Sequence, residues 1–416
     1  MNAWFLLAFL LFYGCTNTKP GLFTKKTAHE AYRSGLAAAG LLGTRMGVLW
    51  QEAALRSLQS PVSIELPYKE NGYFASNDPR AAGYSFNVQR GEKVQVQVST
   101  RPASGILLFV ELYEMPPGKA ARLLQAADTL TTTITHTAEQ SGQYLLRVQP
   151  ELLQSVSYIL SVSTGPSLAF PIRPQDKPRI ISTWGAGRDA GKRQHEGIDI
   201  QAKKRTPVVA VASGFVSRVT ENGLGGKVVF LQPENSRVNV YYAHLDTQWV
   251  RQGQQVQTGD TLGLTGNTGN ARNTVSHLHF GIYTGSGAVD PLPFVSPDRP
   301  AAPEPRGDTS LFISTVHIND AGKLVKGIPA KIIAFTADRY QLLLPDNNVL
   351  LLPKTSVAFT PLGQQRLNKD VLFLDAPDST AAIIAPLAAG SRLMLLGKFN
   401  GYSYLRWGER EGWVKE

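Results

Sequence analysis

The first 60 residues differ from the rest of the chain in how their hydrophobic positions repeat. Between residues 27 and 58 the apolar positions recur three or four residues apart, the spacing of one helical face. These positions are Leu36, Ala39, Leu42, Met46 and Leu49. Gly40 and Gly43 predict a break between two helices, because glycine is the costliest residue after proline in a helix interior. The segment 16–60 is therefore predicted to be helical, either as a spacer or as a helix that binds a partner.

From about residue 62 the period changes to two, which is typical of half-buried β-strands. The alternating stretches are Tyr84 to Val88, Val94 to Val98, Tyr144 to Val148 and Tyr158 to Val162. Turn-forming clusters separate these stretches. The pattern predicts a β-sandwich over residues 61–168, as a scaffold or as a ligand-binding unit.

Short strands separated by glycine-rich turns continue through residues 169–296. They are predicted at Val208 to Val211, Phe215 to Val219, Lys227 to Leu231 and Val238 to Tyr242. A proline-rich linker, residues 297–308, follows and is expected to be extended. The remainder of the chain is again rich in strand patterns, so the predicted fold class is mainly β and multidomain.

Four of the seven histidines fall within the predicted sheet of residues 169–296. They lie in the motifs His195-Glu-Gly-Ile-Asp199, Tyr242-Ala-His244-Leu and His277-Leu-His279-Phe280. A catalytic zinc site takes three protein ligands from imidazoles and carboxylates, and His195, Asp199 and His279 would make such a set. Because residues two apart in a strand face the same side, His277 would share a groove with His279.

These motifs and their flanks resemble the lysostaphin-type, or LytM-like, zinc metallopeptidases. The resemblance covers residues 175–296 and implies an antiparallel peptidase domain at 169–296 that holds one Zn²⁺. It implies that His195, Asp199 and His279 are metal ligands and that His244 and His277 are unligated catalytic histidines. His277 is expected to be the general base and His244 to contact the oxyanion, with the division between the two left open. The implied reaction is hydrolysis of peptide crosslinks in bacterial peptidoglycan.

Two other functions remain as alternatives. A LytM-like protein without catalysis would bind peptidoglycan or activate another wall hydrolase, although such proteins usually lack one or more of the five residues. A zinc peptidase that acts on secreted proteins is the second alternative. We assign no catalytic role to Glu196 and Asp246, which adjoin the motifs. The histidines outside the motifs are expected to be structural: His29, His136 and His317.

The N-terminus predicts export. An apolar run from Trp4 to Tyr13 ends at Gly14-Cys15. The run is too short to span a membrane, which takes about 20 residues. Cys15 resembles the acceptor cysteine of a bacterial lipoprotein, so residues 1–15 are predicted to be a lipoprotein signal peptide. Lipid on Cys15 would then anchor the protein to a membrane of the cell envelope, in the outer membrane or periplasm. A plain secretory signal and an uncleaved anchor remain alternatives.

Charge and cysteine content narrow the classes of partner and of metal site that the chain can have. The net charge of +10 favours polyanions such as a cell envelope, and no long basic run favours nucleic acid, so no nucleic-acid partner is expected. The single cysteine excludes internal disulfides and a structural zinc site built from several thiolates. Folding must therefore rest on hydrophobic cores, and on metal where it binds.

The flanking β segments carry weaker resemblances. The stretch from Ser141 to Pro150, followed by Tyr158, is similar to pre-peptidase C-terminal domains of secreted peptidases. The stretch from Phe373 to Glu416 resembles a bacterial SH3-like domain, which we expect at 365–416, with a diverged copy at 309–364. Its aromatic residues either line a peptide groove or belong to the core: Trp407 and Trp413.

Overall fold

The computed structural model describes residues 26–101, 105–188, 193–296, 300–319 and 326–416. Within these residues the chain is mainly β, built from several antiparallel sheets with few helices. The fold class predicted from the alternating pattern is confirmed. None of the described helices is both long and apolar enough to cross a membrane.

The N-terminal helical segment consists of two helices, α1 (Ala28–Ala38) and α2 (Arg45–Gln59). Helix α1 begins with a capping box, in which the Thr27 side chain accepts a hydrogen bond from the Glu30 backbone and the Glu30 carboxylate accepts one from the Thr27 backbone. The break falls in the predicted place. Gly40 there has a φ of +70°, a left-handed conformation that glycine adopts without a Cβ penalty.

Two facing sheets follow the helices. Their strands are β1 (Val62–Ser63), β2 (Tyr68–Phe74), β3 (Ala82–Val88), β4 (Glu92–Arg101), β5 (Leu108–Met115), β6 (Arg122–Ala126), β7 (Thr133–Thr137), β8 (Gly142–Pro150) and β9 (Val156–Pro166). One sheet has the order β1-β3-β8-β5-β6, and the other contains β2-β9-β4-β7. The inward-facing residues of the alternating strands form one hydrophobic core between the sheets.

The second of these sheets also contains strands from the C-terminal part of the chain. These are β22 (Thr315–Ile318), β23 (Pro329–Phe335), β24 (Arg339–Leu343), β25 (Val349–Pro353) and β26 (Val357–Ala358). Strand β2 pairs with β23 through Asn71↔Phe335 and Gly72↔Ala334. The segments predicted as separate units, 61–168 and 309–364, therefore contribute strands to one sheet.

The histidine motifs lie in a ten-stranded sheet between these two segments. Its strands, with the small hairpin β11–β12 beside them, are β10 (Arg179–Ser182), β11 (Gly187–Arg188), β12 (Arg193–Gln194), β13 (Ile198–Gln201), β14 (Pro207–Val209), β15 (Gly214–Asn222), β16 (Gly226–Pro233), β17 (Asn239–Gln248), β18 (Gln255–Val256), β19 (Thr261–Thr265), β20 (His277–Thr284) and β21 (Gly287–Val289). The main order is β10-β13-β20-β17-β16-β15-β18. One face covers a large apolar core and the other carries the motifs.

A short helix joins this sheet to the sandwich. Helix α3 (Leu292–Val295) follows β21, and the ring of Phe294 lies directly over Gly91, where a Cβ would approach it to 2.3 Å. The backbone N–H of Leu168 donates to the Phe294 carbonyl at 2.9 Å. These contacts attach the motif-bearing sheet to the end of the sandwich.

The last 54 residues contain a six-stranded sheet with the order β27-β30-β31-β32-β28-β29. Its strands are β27 (Gly363–Arg366), β28 (Val371–Leu374), β29 (Ile383–Leu387), β30 (Arg392–Phe399), β31 (Tyr402–Trp407) and β32 (Arg410–Lys415). Trp413 is buried and packs against Tyr404 at 4.5 Å between ring centroids, whereas Trp407 is exposed. The resemblance to SH3-like domains stays a prediction.

Candidate metal centre

The three residues predicted as metal ligands converge on one point. Strands β13 and β20 are neighbours, and their register sets Asp199 directly opposite His279. His195 precedes β13 and reaches the same point from the adjoining loop. Its Nε2 lies 3.0 Å from Asp199 Oδ1 and 3.0 Å from His279 Nδ1, and those two atoms are also 3.0 Å apart. The three atoms thus form a nearly equilateral triangle.

This triangle has the chemistry and the size of a zinc site. Two imidazole nitrogens and a carboxylate oxygen are a known ligand set of catalytic zinc, and ligands about 2.0 to 2.1 Å from a tetrahedral ion lie about 3.3 Å apart. The observed 3.0 Å separations are close to that value. Within the described residues this is the group of His, Cys, Asp and Glu side chains placed to hold a metal.

The backbone fixes which nitrogen of His195 faces the triangle. The Nδ1 atom lies 2.9 Å from the Thr183 carbonyl oxygen, which can only accept, so Nδ1 carries the proton and donates it. Nε2 is then unprotonated in the neutral ring and presents a lone pair to Asp199. A lone pair facing a carboxylate oxygen at 3.0 Å favours a cation between them.

Gly197 explains the spacing of the first motif. A Cβ at this position would lie 2.8 and 2.9 Å from the His279 ring and 2.6 Å from the Phe280 carbonyl oxygen. Such contacts are shorter than real Cβ atoms make. The glycine therefore lets the His279 imidazole lie against the backbone between His195 and Asp199.

Arg188 is a site residue that the motifs did not reveal. Its Nη2 donates to Asp199 Oδ2 at 2.5 Å and to Ser182 Oγ at 2.9 Å. Ser182 Oγ is in turn 3.3 Å from His195 Nδ1. Arg188 thus occupies the carboxylate oxygen that does not face the two imidazoles. No motif surrounds it in the sequence, and only its position in the strand hairpin before His195 brings it to the site.

His244 and His277 lie beside the triangle without joining it. His277 Nδ1 donates to the Val275 carbonyl at 2.8 Å, and its Nε2 is 4.0 Å from Asp199 Oδ1. His244 Nδ1 donates to the Thr268 carbonyl at 2.9 Å. Both rings therefore keep Nε2 as an acceptor when neutral. Their centroids are 5.0 Å apart, on the same side of the cluster.

The backbone at His244 is bent to present its ring. His244 has a φ of +61°, an uncommon conformation for a residue other than glycine and one found often at functional sites. Up to Ala243, strand β17 pairs with β20, and from Leu245 it pairs with β19. The pairing of β17 with β16 also shifts register there, between Tyr242 and Leu245. This irregularity turns the His244 side chain toward the motif-bearing face.

Burial and the contacts among these side chains together set their pKa values. Burial lowers the pKa of His244 to about 4, with the neighbouring His277 and His279 adding to the effect, so this ring is neutral at pH 7. Burial also lowers the pKa of His279, against the attraction of Asp199. At Asp199 burial alone would raise the pKa, but the contacts with His195 and His279 outweigh it and hold the pKa well below its usual range. Neutral imidazoles and an ionised carboxylate are the forms that bind zinc.

Residues 193–291, which contain all five of these side chains, match the model of peptidase family M23. This part of the chain is an M23 peptidase domain. Among curated proteins, the L-Ala--D-Glu endopeptidase of Bacillus subtilis is 33% identical over 137 residues, which are 30% of this chain and 42% of that protein. The murein hydrolase activator NlpD of Salmonella typhimurium is 27% identical over 241 residues, 53% of this chain and 61% of that protein.

The solved structure of LytU is also similar. It is 38% identical, with 28% of this chain and 83% of that chain covered and a TM-score of 0.27. The chain spans less than two thirds of the length of the curated relatives described above. The family match identifies the M23 domain, and the units on either side of it are described by their own structure.

An open groove of about 840 Å³ crosses the M23 domain above the triangle. All five motif residues line it, together with Arg188, Arg193 and a group of aromatic side chains. Glu196 lies on the groove rim, whereas Asp246 lies outside the groove, near Lys204 and Arg205. An open groove of this size can hold an extended peptide.

The remaining predicted residues lie elsewhere. His29 is buried and stacks on Trp50 at 4.7 Å between ring centroids, and its Nε2 lies 2.8 Å from Gln149 Oε1. His136 and His317 are in strands β7 and β22, away from the M23 domain. Cys15 lies outside the described residues, so its lipidation stays a prediction.

Proposed function

We propose that the chain is a zinc-dependent endopeptidase that cuts peptide crosslinks of bacterial peptidoglycan. The observation that carries this proposal is the 3.0 Å triangle of His195, Asp199 and His279 with two unligated histidines beside it. Three ligands leave one position of a tetrahedral ion open, which is the arrangement of a catalytic site and not of a structural one.

His195, Asp199 and His279 would hold the zinc ion. When bound there, zinc would supply Lewis-acid chemistry, which acidifies water and polarises a peptide carbonyl group. Arg188 holds the outer oxygen of Asp199 and leaves Oδ1 for the metal. The Thr183 carbonyl keeps the His195 proton on Nδ1, which leaves Nε2 for the metal.

His277 would act as the general base. Its Nδ1 proton is donated to Val275, so its Nε2 lone pair faces the groove beside Asp199 and can take a proton from the attacking water. The same nitrogen can later return the proton to the leaving amine.

His244 would act beside His277 at the reacting carbonyl. Its Nε2 also faces the groove, because Nδ1 is committed to Thr268. In the neutral ring this Nε2 is an acceptor, so His244 must gain a proton before it can donate to the developing oxyanion, or else share the proton transfer with His277.

Substrate and location are part of the proposal. The M23 domain and its endopeptidase relative support peptidoglycan as the substrate class. An exported protein with lipid on Cys15 would meet that substrate in the cell envelope. The β units on both sides of the M23 domain would then position it on the wall, and the positive net charge of +10 fits a polyanionic surface.

Mass spectrometry of peptidoglycan fragments tests the proposal. The zinc-loaded full-length chain is incubated with purified peptidoglycan, beside a His279→Ala variant and a sample with chelator. We expect fewer crosslinked fragments and new free peptide termini with the wild type only. Crosslinks that stay intact despite one bound zinc per chain would contradict the endopeptidase.

A second candidate is a peptidoglycan-binding protein that activates another hydrolase. The similarity to the Salmonella activator favours it, since that match extends over 53% of this chain. The complete set of five site residues argues against it. The same digestion separates the two: an activator would leave purified peptidoglycan intact and increase cleavage only when another wall hydrolase is added.

A further inference from the structure

The groove continues away from the triangle along strands β17 and β20, beside His279. Directly opposite residues of neighbouring strands share a face, and the row that contains His279 also contains Ala243. The next row on the same face pairs Gly281 with Tyr241. A Cβ at Gly281 would already approach the Tyr283 ring to 3.2 Å. Ala243 lines the groove, and the missing side chain at Gly281 leaves room for the rings of Tyr241 and Tyr283.

Aromatic rings form one wall of this part of the groove. Tyr241 contacts the His279 ring edge-on at 5.8 Å between centroids. It also contacts Tyr283 at 6.0 Å and Phe230 at 4.8 Å. All three aromatic residues line the groove and are partly exposed to it. The wall thus begins at a predicted metal ligand and extends away from it.

The wall is held in place from behind. A Cβ at Gly225 would lie 2.0 Å from the Tyr241 hydroxyl, so this glycine makes room for the ring. The Arg218 guanidinium lies 5.6 Å from the centre of the Phe230 ring. Rings fixed in this way lose little conformational entropy when a ligand covers them.

The distances limit which substrate residues can meet the wall. One residue of an extended chain spans about 3.3 to 3.6 Å, so a ring centred 5.8 Å from the His279 ring lies within about two residues of a bond that is cut at the triangle. An aromatic surface gains free energy by covering aliphatic groups and gains almost nothing from glycine, which has no side chain.

We propose that Tyr241, with Phe230 and Tyr283, forms a subsite for an aliphatic side chain beside the scissile bond. The inference rests on the proposed endopeptidase function and narrows its substrate class. The preferred crosslinks carry side chains, such as the methyl group of alanine, at the bond that is cut. Bridges made only of glycine are poor substrates. One methyl or methylene group in an apolar site changes kcat/KM by about 10- to 200-fold, so the preference is at least about tenfold.

Two peptides of equal length test the subsite. One is pentaglycine, and the other carries alanine on both sides of the central bond, in separate L and D forms. Cleavage by the zinc-loaded full-length chain is followed by mass spectrometry, and kcat/KM is measured for each peptide. We expect the wild type to prefer an alanine peptide at least about tenfold. We expect Tyr241→Ala to lose most of this preference, with unchanged zinc content.

Two control variants separate the ring from general damage. Tyr241→Phe keeps the aromatic surface and is expected to keep the preference. Phe215→Ala removes an exposed aromatic residue in strand β15 of the same sheet, outside the groove, and is expected to change neither peptide's cleavage. If the wild type cuts both peptides at an equal, measurable rate, the inference is overturned, as it is by a full preference in Tyr241→Ala.

Binding keeps this test apart from the test of the proposed function. Affinity for the same peptides is measured by calorimetry on zinc-loaded His277→Ala, with and without Tyr241→Ala. If the wild type cuts neither peptide but the alanine peptide binds more tightly through Tyr241, the subsite stands and the endopeptidase fails. If neither peptide binds better than the other, the subsite is wrong whatever the cleavage result.

Discussion

Two of the buried carboxylates, Glu70 and Asp199, differ in whether the groups around them donate hydrogen bonds to them. Glu70 in strand β2 accepts hydrogen bonds from four groups: the hydroxyls of Tyr68, Tyr84 and Tyr158 and the amide of Gln341. Every partner brings a proton. Asp199 instead meets the Nε2 lone pair of His195, whose only proton in the neutral ring is donated elsewhere.

The difference distinguishes a structural polar cluster from a metal site. Around Glu70 the donors satisfy both oxygens, and the side chain is fully buried. Nothing there requires an ion. Around Asp199 one oxygen is satisfied by Arg188 and the other faces imidazole nitrogens beneath an open groove. A polar cluster that has acceptors facing each other is completed by a cation, and one with matched donors is already complete.

The Glu70 cluster also has a position that suggests its purpose. Gln341 belongs to strand β24, whereas the three tyrosines and Glu70 belong to the sandwich. The cluster therefore fastens the C-terminal strands to the sandwich at the sheet that they share. Its contribution is to stability, while that of the Asp199 cluster is to chemistry.

Removal of a ligand from the triangle should abolish function. We expect His279→Ala and Asp199→Ala to lose both bound zinc and peptidoglycan cleavage, because two protein ligands do not complete a catalytic zinc site. Metal analysis and fragment analysis of the purified variants check this. Glu70→Ala is the matched control from the other cluster, and we expect it to retain zinc. Full zinc content in both ligand variants would contradict the assignment.

Removal of the other carboxylate should affect folding. Glu70→Ala leaves four buried donors without their acceptor, and we expect a loss of about 3 kcal/mol in the free energy of unfolding. Urea denaturation followed by fluorescence measures it. Tyr68→Phe removes a single donor and is expected to lose less. A midpoint for Glu70→Ala equal to that of the wild type would show that the cluster does not hold the two segments together.

Substitution of Arg188 tests whether the group that hydrogen-bonds a metal ligand contributes to zinc binding. We expect Arg188→Gln to weaken zinc binding about 10- to 100-fold, the usual effect of removing a group that orients a metal ligand. Competition with a chromogenic chelator measures the affinity. Arg251→Gln changes an exposed arginine of the same domain and serves as the control for net charge. Equal zinc affinity in Arg188→Gln and the wild type would remove Arg188 from the site.

The smallest predicted effect is a dependence of stability on pH at Glu70. Burial raises the pKa of Glu70 above its ordinary value of 4.5, although its four hydrogen-bond donors oppose this. The folded state then binds the proton more tightly than the unfolded chain, so the stability from this group is present below pH 4.5 and is lost as pH rises through the raised pKa.

A comparison with Glu70→Gln isolates this titration, because glutamine does not titrate. The free energy of unfolding of the wild type, relative to Glu70→Gln, is expected to fall as the pH rises above 4.5. Urea denaturation of both proteins across that range measures the difference. A relative stability that increases over the same range would mean that the four donors lower the pKa of Glu70 below its ordinary value.

The sequence could predict the Asp199 cluster because each motif is short and the whole set resembles a known family. Short-range geometry groups His195 with Asp199 and His277 with His279. The resemblance joined these two pairs across the 80 residues between Asp199 and His279. Arg188 and Tyr241 were missed as site residues. Arg188 reaches Asp199 only because β11 pairs with β12 just before His195, and Tyr241 lies in the wall only because β17 and β20 are neighbours.

The Glu70 cluster was out of reach for a different reason. Glu70 and Gln341 are 271 residues apart, and alternation along a strand says which side a residue faces but not which strand it will pair with. One signal was present. Glu70 stands between Tyr68 and Gly72 at the inward-facing positions of β2, where an acidic residue needs buried donors. The pairing of β2 with β23 could not be predicted for the same reason, because the residues of one strand do not indicate which distant strand it will pair with.

The zinc content of the His277→Ala variant distinguishes a metal ligand from a histidine that acts without touching the metal. His195, Asp199 and His279 are assigned to the first class, and His244 and His277 to the second. Purified His277→Ala is expected to hold one zinc per chain, as the wild type does, and to release no crosslinked peptides from peptidoglycan. A zinc-free His277→Ala protein would make His277 a ligand, and a zinc-loaded variant with full activity would remove it from the reaction.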